Sequence, residues 1–106
     1  MKKVKIYIDT SDNKRTMVCL TTESIEDWIE ETITVHRDQL VLEFISKLLK
    51  KHNLTLNDLT EIAVNPGPGS FTGVRVGVSI ANALSFALGI PVNNKSGKEL
   101  VEPSYL

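Results

Sequence analysis

Residues 65–89 place the strongest constraint on what this chain can fold into. They read NPGPGSFTGVRVGVSIANALSFALG, a loop crowded with glycine and proline that runs into a helix apolar on most of its surface. α/β proteins often hold phosphate groups at such a loop, because unpaired backbone N–H groups and the helix dipole favour an anion there. A helix that is apolar on two sides also needs two apolar neighbours. The segment therefore predicts an anion site, a partner surface, or both.

The hydrophobic pattern changes its period along the chain. Its first third alternates apolar and polar residues, which predicts a three-stranded antiparallel meander. Helix and strand then alternate, which predicts parallel strands joined by crossover helices. We therefore expect an α/β fold with a mixed five-stranded sheet and two main helices. The expected strands are 3–9, 15–22, 25–34, 60–65 and a short fifth strand at 90–92, the expected helices are 36–52 and 72–88, and a capping box opens a helical turn at 55–58.

Composition and charge exclude several classes of protein. The chain has 106 residues, of which 42% are hydrophobic, and a net charge of −1. These values suit one globular domain, and without a concentrated basic patch the chain is not expected to grip nucleic acid by itself. The single cysteine cannot form a disulfide within the chain. The apolar run after the N-terminus stops at Asp9, too early for a signal peptide or a membrane span, so we expect a cytoplasmic protein.

The residue types do not predict catalysis or a metal site. His36 and His52 fall at opposite ends of one helix, roughly 24 Å apart at about 1.5 Å per residue, so they cannot share a metal ion. Neither a Ser-His-Asp pattern nor a pair of catalytic carboxylates stands out. We expect no catalytic residue and no metal ligand.

The glycine- and proline-rich loop is a candidate anion site. Its glycines follow the pattern G-x-G-x-x-x-G, which misses the dinucleotide fingerprint by one residue, and it lacks the Gly-Lys-Ser/Thr ending of a P-loop. A stiff strand-to-helix connection explains the same glycines. A second polar group, DTS, ends the first strand and has the same two interpretations, a ligand site or an ordinary turn. The candidate anion- or nucleotide-facing residues are Asp9, Thr10, Ser11, Gly67, Gly69, Ser70, Thr72 and Gly73.

The helix after the loop carries two apolar stripes. One stripe can face the sheet, and the other stays in water unless a second helix covers it. That helix could come from a partner or from residues 36–52 of this chain, which are themselves broadly apolar. Gly73 and Gly77, one turn apart, would let another backbone approach closely. The predicted partner interface consists of Leu42, Ile45, Leu49, Val74, Arg75, Gly77, Val78, Ala81 and Ser85.

The run GPGSFTGVRVG at 67–77, the following Ala-rich helix and LGIP at 88–91 resemble the signature of the TsaB (YeaZ) family. The resemblance covers about residues 3–92, including DTS after the first strand. It implies a ribonuclease H-like (actin/hexokinase-like) domain. It also implies a non-catalytic partner in making N6-threonylcarbamoyladenosine at position thirty-seven of tRNA. The family pairs through two helices with its catalytic paralogue TsaD, which here implicates helices 36–52 and 72–88.

The chain departs from the family pattern after the Ile-Pro strand. Family members continue into a second domain, whereas here we expect a single domain over residues 1–92 and a polar tail over 93–106. Since nucleotide clefts in this superfamily lie between two lobes, we expect no cofactor on the chain alone and ATP with Mg²⁺ only at a composite cleft. The implied partners are a TsaD-like subunit and a TsaE-like ATPase, with tRNA contacted only indirectly. A homodimeric nucleotide- or phosphate-binding module stays open as the alternative.

Overall fold

The computed structural model describes residues 2–32, 36–95 and 100–104. The described residues form an α/β fold with a mixed sheet and two main helices, as the sequence predicts. The elements are β1 (Val4–Asp9), β2 (Thr16–Thr22), β3 (Glu26–Glu31), α1 (Arg37–Lys51), a short 3₁₀ helix (Leu56–Asp58), β4 (Glu61–Val64) and α2 (Phe71–Leu88).

The four strands lie in the order β3-β2-β1-β4. The pairs β1–β2 and β2–β3 are antiparallel, as expected of a meander, and β4 lies parallel to β1 after the crossover through α1. The carboxyl ends of β1 and β4 therefore meet at one edge of the sheet. That edge also holds the β1–β2 turn and the loop into α2.

The core lies between one face of the sheet and the two helices. Even-numbered strand residues such as Ile6, Val18 and Ile62 are buried on that face, as the two-residue period of a strand requires. α1 packs on β2 and β3, while α2 packs on β4 and β1. Phe44 of α1 and Val74 of α2 join the same buried cluster. The two layers thus share one core.

The predicted fifth strand is wrong, because the described residues contain four strands. Val92 makes only isolated bridges, parallel to Ile62 and antiparallel to Lys95. Asn93 and Asn94 both have positive φ, at 47° and 65°, so the chain turns back immediately after Val92. The Asn93 side chain then donates to the carbonyl of Val64 and accepts from its N–H, both at 2.9 Å. One amide side chain thereby replaces the backbone that a fifth strand would have provided.

The ends of the helices follow local signals in the sequence. Asn53, just after α1, has a φ of 58°, and Asp58 accepts from the Thr55 N–H at 2.7 Å in the predicted capping box. His36 stands at the N-cap position of α1 in the left-handed conformation, with φ 54°, and is exposed. His52, at the other end of the helix, is half-buried and its Nε2 lies 2.9 Å from Asp27.

Part of the expected polar tail packs against the domain. Val101 is 5% exposed and joins the core. Asn82 of α2 holds it on both sides, since its side chain accepts from the Val101 N–H and donates to the Val101 carbonyl, each at 3.0 Å. The N–H of Ser104 donates to the carbonyl of Pro66 at 2.6 Å. Residues 100–104 therefore run alongside α2 toward the glycine- and proline-rich loop.

Candidate functional site

The exposed side of the two helices carries several large apolar side chains. Leu42 of α1 is 51% exposed, and Phe71 and Phe86 of α2 are 57% and 80% exposed. The Arg75 guanidinium lies over the Phe71 ring, 5.3 Å from its centre. Phenylalanine side chains with so large an exposed fraction are uncommon on a solvated helix, so they indicate a contact surface. We define the outer helix face by Leu42, Phe71, Arg75, Val76, Ile80, Ala83 and Phe86.

Two grooves run between the helices on this side. The first has a volume of about 420 Å³ and lies between the second half of α1, the 3₁₀ helix and Leu84 of α2. The second, about 390 Å³, lies between Asp38 of α1 and the first half of α2. The first groove is lined mainly by Leu42, Ile45, Leu49, Leu54, Leu56 and Leu84. Grooves with such linings can receive apolar side chains from a partner.

Most of the predicted interface residues lie in the core of this chain. The stripe Val74, Gly77, Val78, Ala81 and Ser85 is buried against the sheet, so the sequence analysis assigned the wrong side of α2 to the partner. Ile45 and Leu49 are 2% and 3% exposed and form only the floor of the first groove. Leu42 and Arg75 remain on the surface, where they were predicted.

Phe71 and Phe86 were missed as surface residues. A signal for them was present in the polar residues Arg75 and Ser79, which mark the solvent side of α2. Phe86 follows Ser79 by seven residues, or about two helical turns, and so lies on that side.

Gly73 and Gly77 allow α2 to pack closely against Thr10 of the same chain. A Cβ on Gly73 would lie 2.2 Å from the Thr10 carbonyl oxygen, and one on Gly77 would lie 2.5 Å from the Thr10 hydroxyl. The Thr10 hydroxyl donates to the Gly73 carbonyl. The predicted small-residue track therefore seats α2 against the end of β1 and not against a partner helix.

The predicted anion-facing residues do come together at the carboxyl ends of β1 and β4. Asp9 accepts from the N–H of Ser11 at 3.0 Å and from its hydroxyl at 2.7 Å, while the Asn65 amide donates to the same hydroxyl at 3.1 Å. The Arg15 guanidinium lies 3.8 Å from Asp9. Burial alone would raise the pKa of Asp9, but the hydrogen bonds from Ser11 and Asn65 outweigh it and hold that pKa below its usual value. Asp9 is therefore an ionised, internally bonded carboxylate.

The loop itself is tied to this cluster. The Ser70 N–H donates to the Ser11 carbonyl at 2.8 Å, and the Ser70 hydroxyl caps α2 by accepting from the Gly73 N–H at 3.4 Å. Gly67 donates its N–H to the Asn65 side chain at 3.0 Å. Gly69 approaches the Ser11 carbonyl so closely that a Cβ would lie 2.5 Å from it, and Thr72 is exposed beside them. These hydrogen bonds are those of a structural connection between two loops. Anion binding at these loops stays a prediction.

Two further properties bear on what the chain can do. Within residues 2–32, 36–95 and 100–104, His, Cys, Asp and Glu form no group of three or more that could hold a metal ion. α2 is long and apolar enough to cross a membrane by length and composition alone, with a mean hydropathy of 1.4. One such helix is weak evidence for a membrane span, because core helices pass the same test, and one stripe of α2 packs on the sheet.

Comparison with known proteins identifies relatives of this fold and site. A family profile described as "TsaD: tRNA N6-adenosine threonylcarbamoyltransferase" matches residues 30–94. The Buchnera aphidicola protein named tRNA threonylcarbamoyladenosine biosynthesis protein TsaB is 34% identical over 92 residues, which is 87% of this chain and 43% of that protein. The Escherichia coli protein of the same name is 32% identical over 76 residues, covering 65% and 33% of the two chains.

A solved structure from the same group of proteins has a similar fold. YeaZ from Pseudomonas aeruginosa superposes with a TM-score of 0.80 at 32% sequence identity, over 85% of this chain and 42% of that one. This chain thus spans less than half the length of these relatives. The profile covers more than half of the chain, including α1, β4, the loop and α2. The chain belongs to the family that this profile describes and, within it, to the TsaB (YeaZ) proteins.

Proposed function

We propose that this chain is a non-catalytic TsaB-type subunit that supports N6-threonylcarbamoyladenosine modification of tRNA by binding a TsaD-like catalytic paralogue. Its relatives carry the name of that biosynthetic step, and its family profile carries the name of the transferase. The outer helix face is the docking surface in this proposal. A TsaE-like ATPase joins the same cytoplasmic complex, and tRNA is contacted only through the partner.

The observation that carries the proposal is the apolar character of α2 on the side away from the sheet. Ile80 and Ala83 lie on that side together with Phe86, which is 80% exposed. Burial of a large apolar side chain is worth roughly 1.5–3 kcal/mol, so a partner that covers Leu42 and Phe86 gains several kcal/mol from these two alone. The two grooves beside Ile80 and Leu84 give such a partner specific places for its own side chains.

The test is co-purification with the TsaD homologue of the same organism. Leu42→Glu and Ala83→Glu each place a carboxylate on the outer helix face, and each should weaken the complex on the order of tenfold or more. Trp28→Glu is the matched control, because Trp28 is 54% exposed on the sheet. A complex that survives both helix variants, or that never forms with the unmodified chain, contradicts the proposal.

One observation favours the alternative of a homodimeric nucleotide- or phosphate-binding module. Asp9, Thr10 and Ser11 lie beside the loop 67–73, at the strand ends where α/β proteins gather ligands. Cofactor binding, with ATP and Mg²⁺ at a cleft completed by another lobe, belongs to this alternative. Calorimetric titration of the purified chain with ATP and Mg²⁺ decides, since binding heat together with a dimer supports the module and its absence contradicts it.

A further inference from the structure

The strand β3 forms an edge of the sheet whose outer side pairs with no other described strand. β3 stands at the end of the order β3-β2-β1-β4, so it pairs only with β2. That pairing is regular over all of Glu26–Glu31, with no extra residue on either strand. The edge of a sheet presents a row of N–H and C=O groups that can pair with another extended segment. β3 is therefore a template to which a strand can be added.

The register shows which backbone groups of β3 point outward. The Thr22 N–H donates to the Ile25 carbonyl at 2.8 Å, so these two residues form a hydrogen-bonded pair. Hydrogen-bonded and non-hydrogen-bonded pairs alternate along an antiparallel ladder. Continued through the register of β2 and β3, this alternation leaves three residues whose N–H and C=O groups point away from β2: Glu26, Trp28 and Glu30.

The contacts of Trp28 agree with this assignment. Its N–H donates to the side chain of Asp27 at 2.9 Å, so this group is not bonded to β2. The indole of Trp28 is 54% exposed. Glu26 and Glu30 lie two residues away on either side, which places their side chains on the same face of the strand as the indole. The edge thus presents an exposed apolar side chain between two carboxylates.

The charges of β3 determine which kind of segment can pair with it. Four of its six residues are acidic, and it contains neither Pro nor Lys, two residues that natural proteins use to block edge pairing. Glu26 and Glu31 form no ion pair with any residue that the structure describes. Acidic side chains oppose an acidic strand and favour a basic one. The edge therefore selects a basic segment.

A second copy of this chain does not suit the edge. Two β3 strands paired antiparallel about Trp28 would place Glu26 of each copy opposite Glu30 of the other. Like charges directly opposite each other destabilise a strand pair, whereas each opposite-charge pair contributes roughly 0.2–1 kcal/mol. A partner segment with a basic residue at both positions replaces two repulsive pairs with two attractive ones.

We propose that the outer edge of β3 binds an extended basic segment of a partner protein by strand addition. On the face that carries Trp28, the side chains of this segment follow the order basic, apolar, basic, with the basic residues beside Glu26 and Glu30. Main-chain hydrogen bonds supply affinity, and these side chains supply selectivity. The edge does not include the outer helix face, so the interaction goes beyond the proposed function and its test needs no TsaD-like partner.

The probe is the peptide Thr-Lys-Thr-Val-Thr-Lys-Thr, acetylated and amidated at its ends, which is added to the full chain. Trp28 is the single tryptophan of the chain and the peptide has none, so the fluorescence of Trp28 reports binding at the edge. We expect a saturable change in its emission. At saturation, hydrogen exchange of the Glu26 and Glu30 N–H groups should slow at least about tenfold, because they become hydrogen-bonded. The N–H of Ile29, which already faces β2, should change less.

Two altered peptides separate the contribution of charge from that of the backbone. Replacement of both lysines by glutamate should weaken binding at least about tenfold. N-methylation of the valine and both lysines should do the same, because their N–H groups face β3 in an antiparallel pair. Equal binding of the parent and either altered peptide contradicts the proposal, as does a parent peptide that does not bind.

Variants of the chain place the binding at the edge. Glu26→Lys should weaken binding of the parent peptide at least about fivefold. Glu43→Lys makes the same charge change at an exposed position of α1 and should leave binding within about twofold. The proposal is overturned if the two variants weaken binding equally. Exchange of the Glu26 N–H that slows as the concentration of the chain alone rises overturns it too, since a second copy is then the occupant.

Discussion

The guanidinium of Arg37, in the first turn of α1, donates to the backbone carbonyl of Thr10 at 3.0 Å. The same side chain donates to the carbonyls of Asp12 and Arg15 at 2.7 Å and 2.6 Å and to the Thr16 hydroxyl at 3.0 Å. Arg37 is 8% exposed, and burial lowers its pKa although Asp12 and Asp9 oppose that shift. One buried cation thus fixes the β1–β2 turn, whose Thr10 in turn holds the start of α2.

Arg37→Met should destabilise the fold. It removes the donors for several carbonyls, and hydrogen bonds to a charged group are worth about 1.5–3 kcal/mol, so we expect a loss of roughly 2–3 kcal/mol in the free energy of unfolding. Lys47→Met is the matched control, since Lys47 is exposed on the same helix. Urea denaturation measures both. Equal stability of the two variants would mean that the turn holds without Arg37.

Gly73→Ala should destabilise the chain although alanine is the better helix former. The new Cβ would lie 2.2 Å from the Thr10 carbonyl oxygen, a backbone atom that cannot rotate away. Crowding of this kind costs about 1–3 kcal/mol or more, which exceeds the gain of up to about 1 kcal/mol from helix propensity. Ser79→Ala, at an exposed position of α2, should stay within about 0.5 kcal/mol of the parent. A Gly73→Ala variant with raised stability in thermal unfolding contradicts the close packing.

Val78→Asp and Ser79→Asp form a test of which way α2 faces. Val78 is 4% exposed in the core, whereas Ser79 is exposed. A buried unpaired carboxylate costs several kcal/mol, so Val78→Asp should lose cooperative unfolding, and Ser79→Asp should fold as the parent does. Circular dichroism during heating distinguishes them. The reverse outcome would return the Val78 stripe to the surface, as the sequence analysis assigned it.

The difficulty with α2 shows what a sequence pattern can and cannot specify. The bounds of α2 were predicted to within one residue, because the glycine- and proline-rich loop and Gly89 mark its two ends in the local sequence. The side of α2 that faces the sheet was not predicted, because Val78 and Val76 belong to two stripes that are equally apolar. The close approach of Gly73 and Gly77 to Thr10 selects one stripe, and these contacts join residues far apart in the chain.

Arg37 and Asn93 escaped prediction for the same physical reason. An arginine in the first turn of an amphipathic helix normally lies in solvent, and nothing near it in the sequence signals the distant carbonyls that it meets. Asn93 resembles any turn residue, yet its side chain completes the sheet beside Val64. The placement of Asp9 beside the loop was predictable, since the carboxyl ends of parallel strands meet at one edge.

Asp27 links the edge strand β3 to the end of α1 and gives the fold an acid-sensitive contact. Its carboxylate lies 2.8 Å from the Lys51 ammonium and 2.9 Å from His52. Hydrogen bonds from Lys51 and then from His52 lower the pKa of Asp27 from 3.8 to about 2. Because the folded pKa lies below the unfolded one, this contact stabilises the fold fully at pH values well above 3.8.

Acid should therefore remove the contribution of Asp27 within a defined window. As the pH falls from about 4 toward 2, Asp27 takes up a proton in the unfolded chain before it does so in the folded protein. The parent should therefore lose its stability advantage over Asp27→Asn across that range, and the advantage should be constant at higher pH. Denaturant unfolding of both proteins at a series of pH values measures the difference. Glu23→Gln, at an exposed turn position, is the control and should give a smaller change. A difference between parent and Asp27→Asn that stays flat from neutral pH to pH 2 would show that the contacts with Lys51 and His52 do not stabilise the fold.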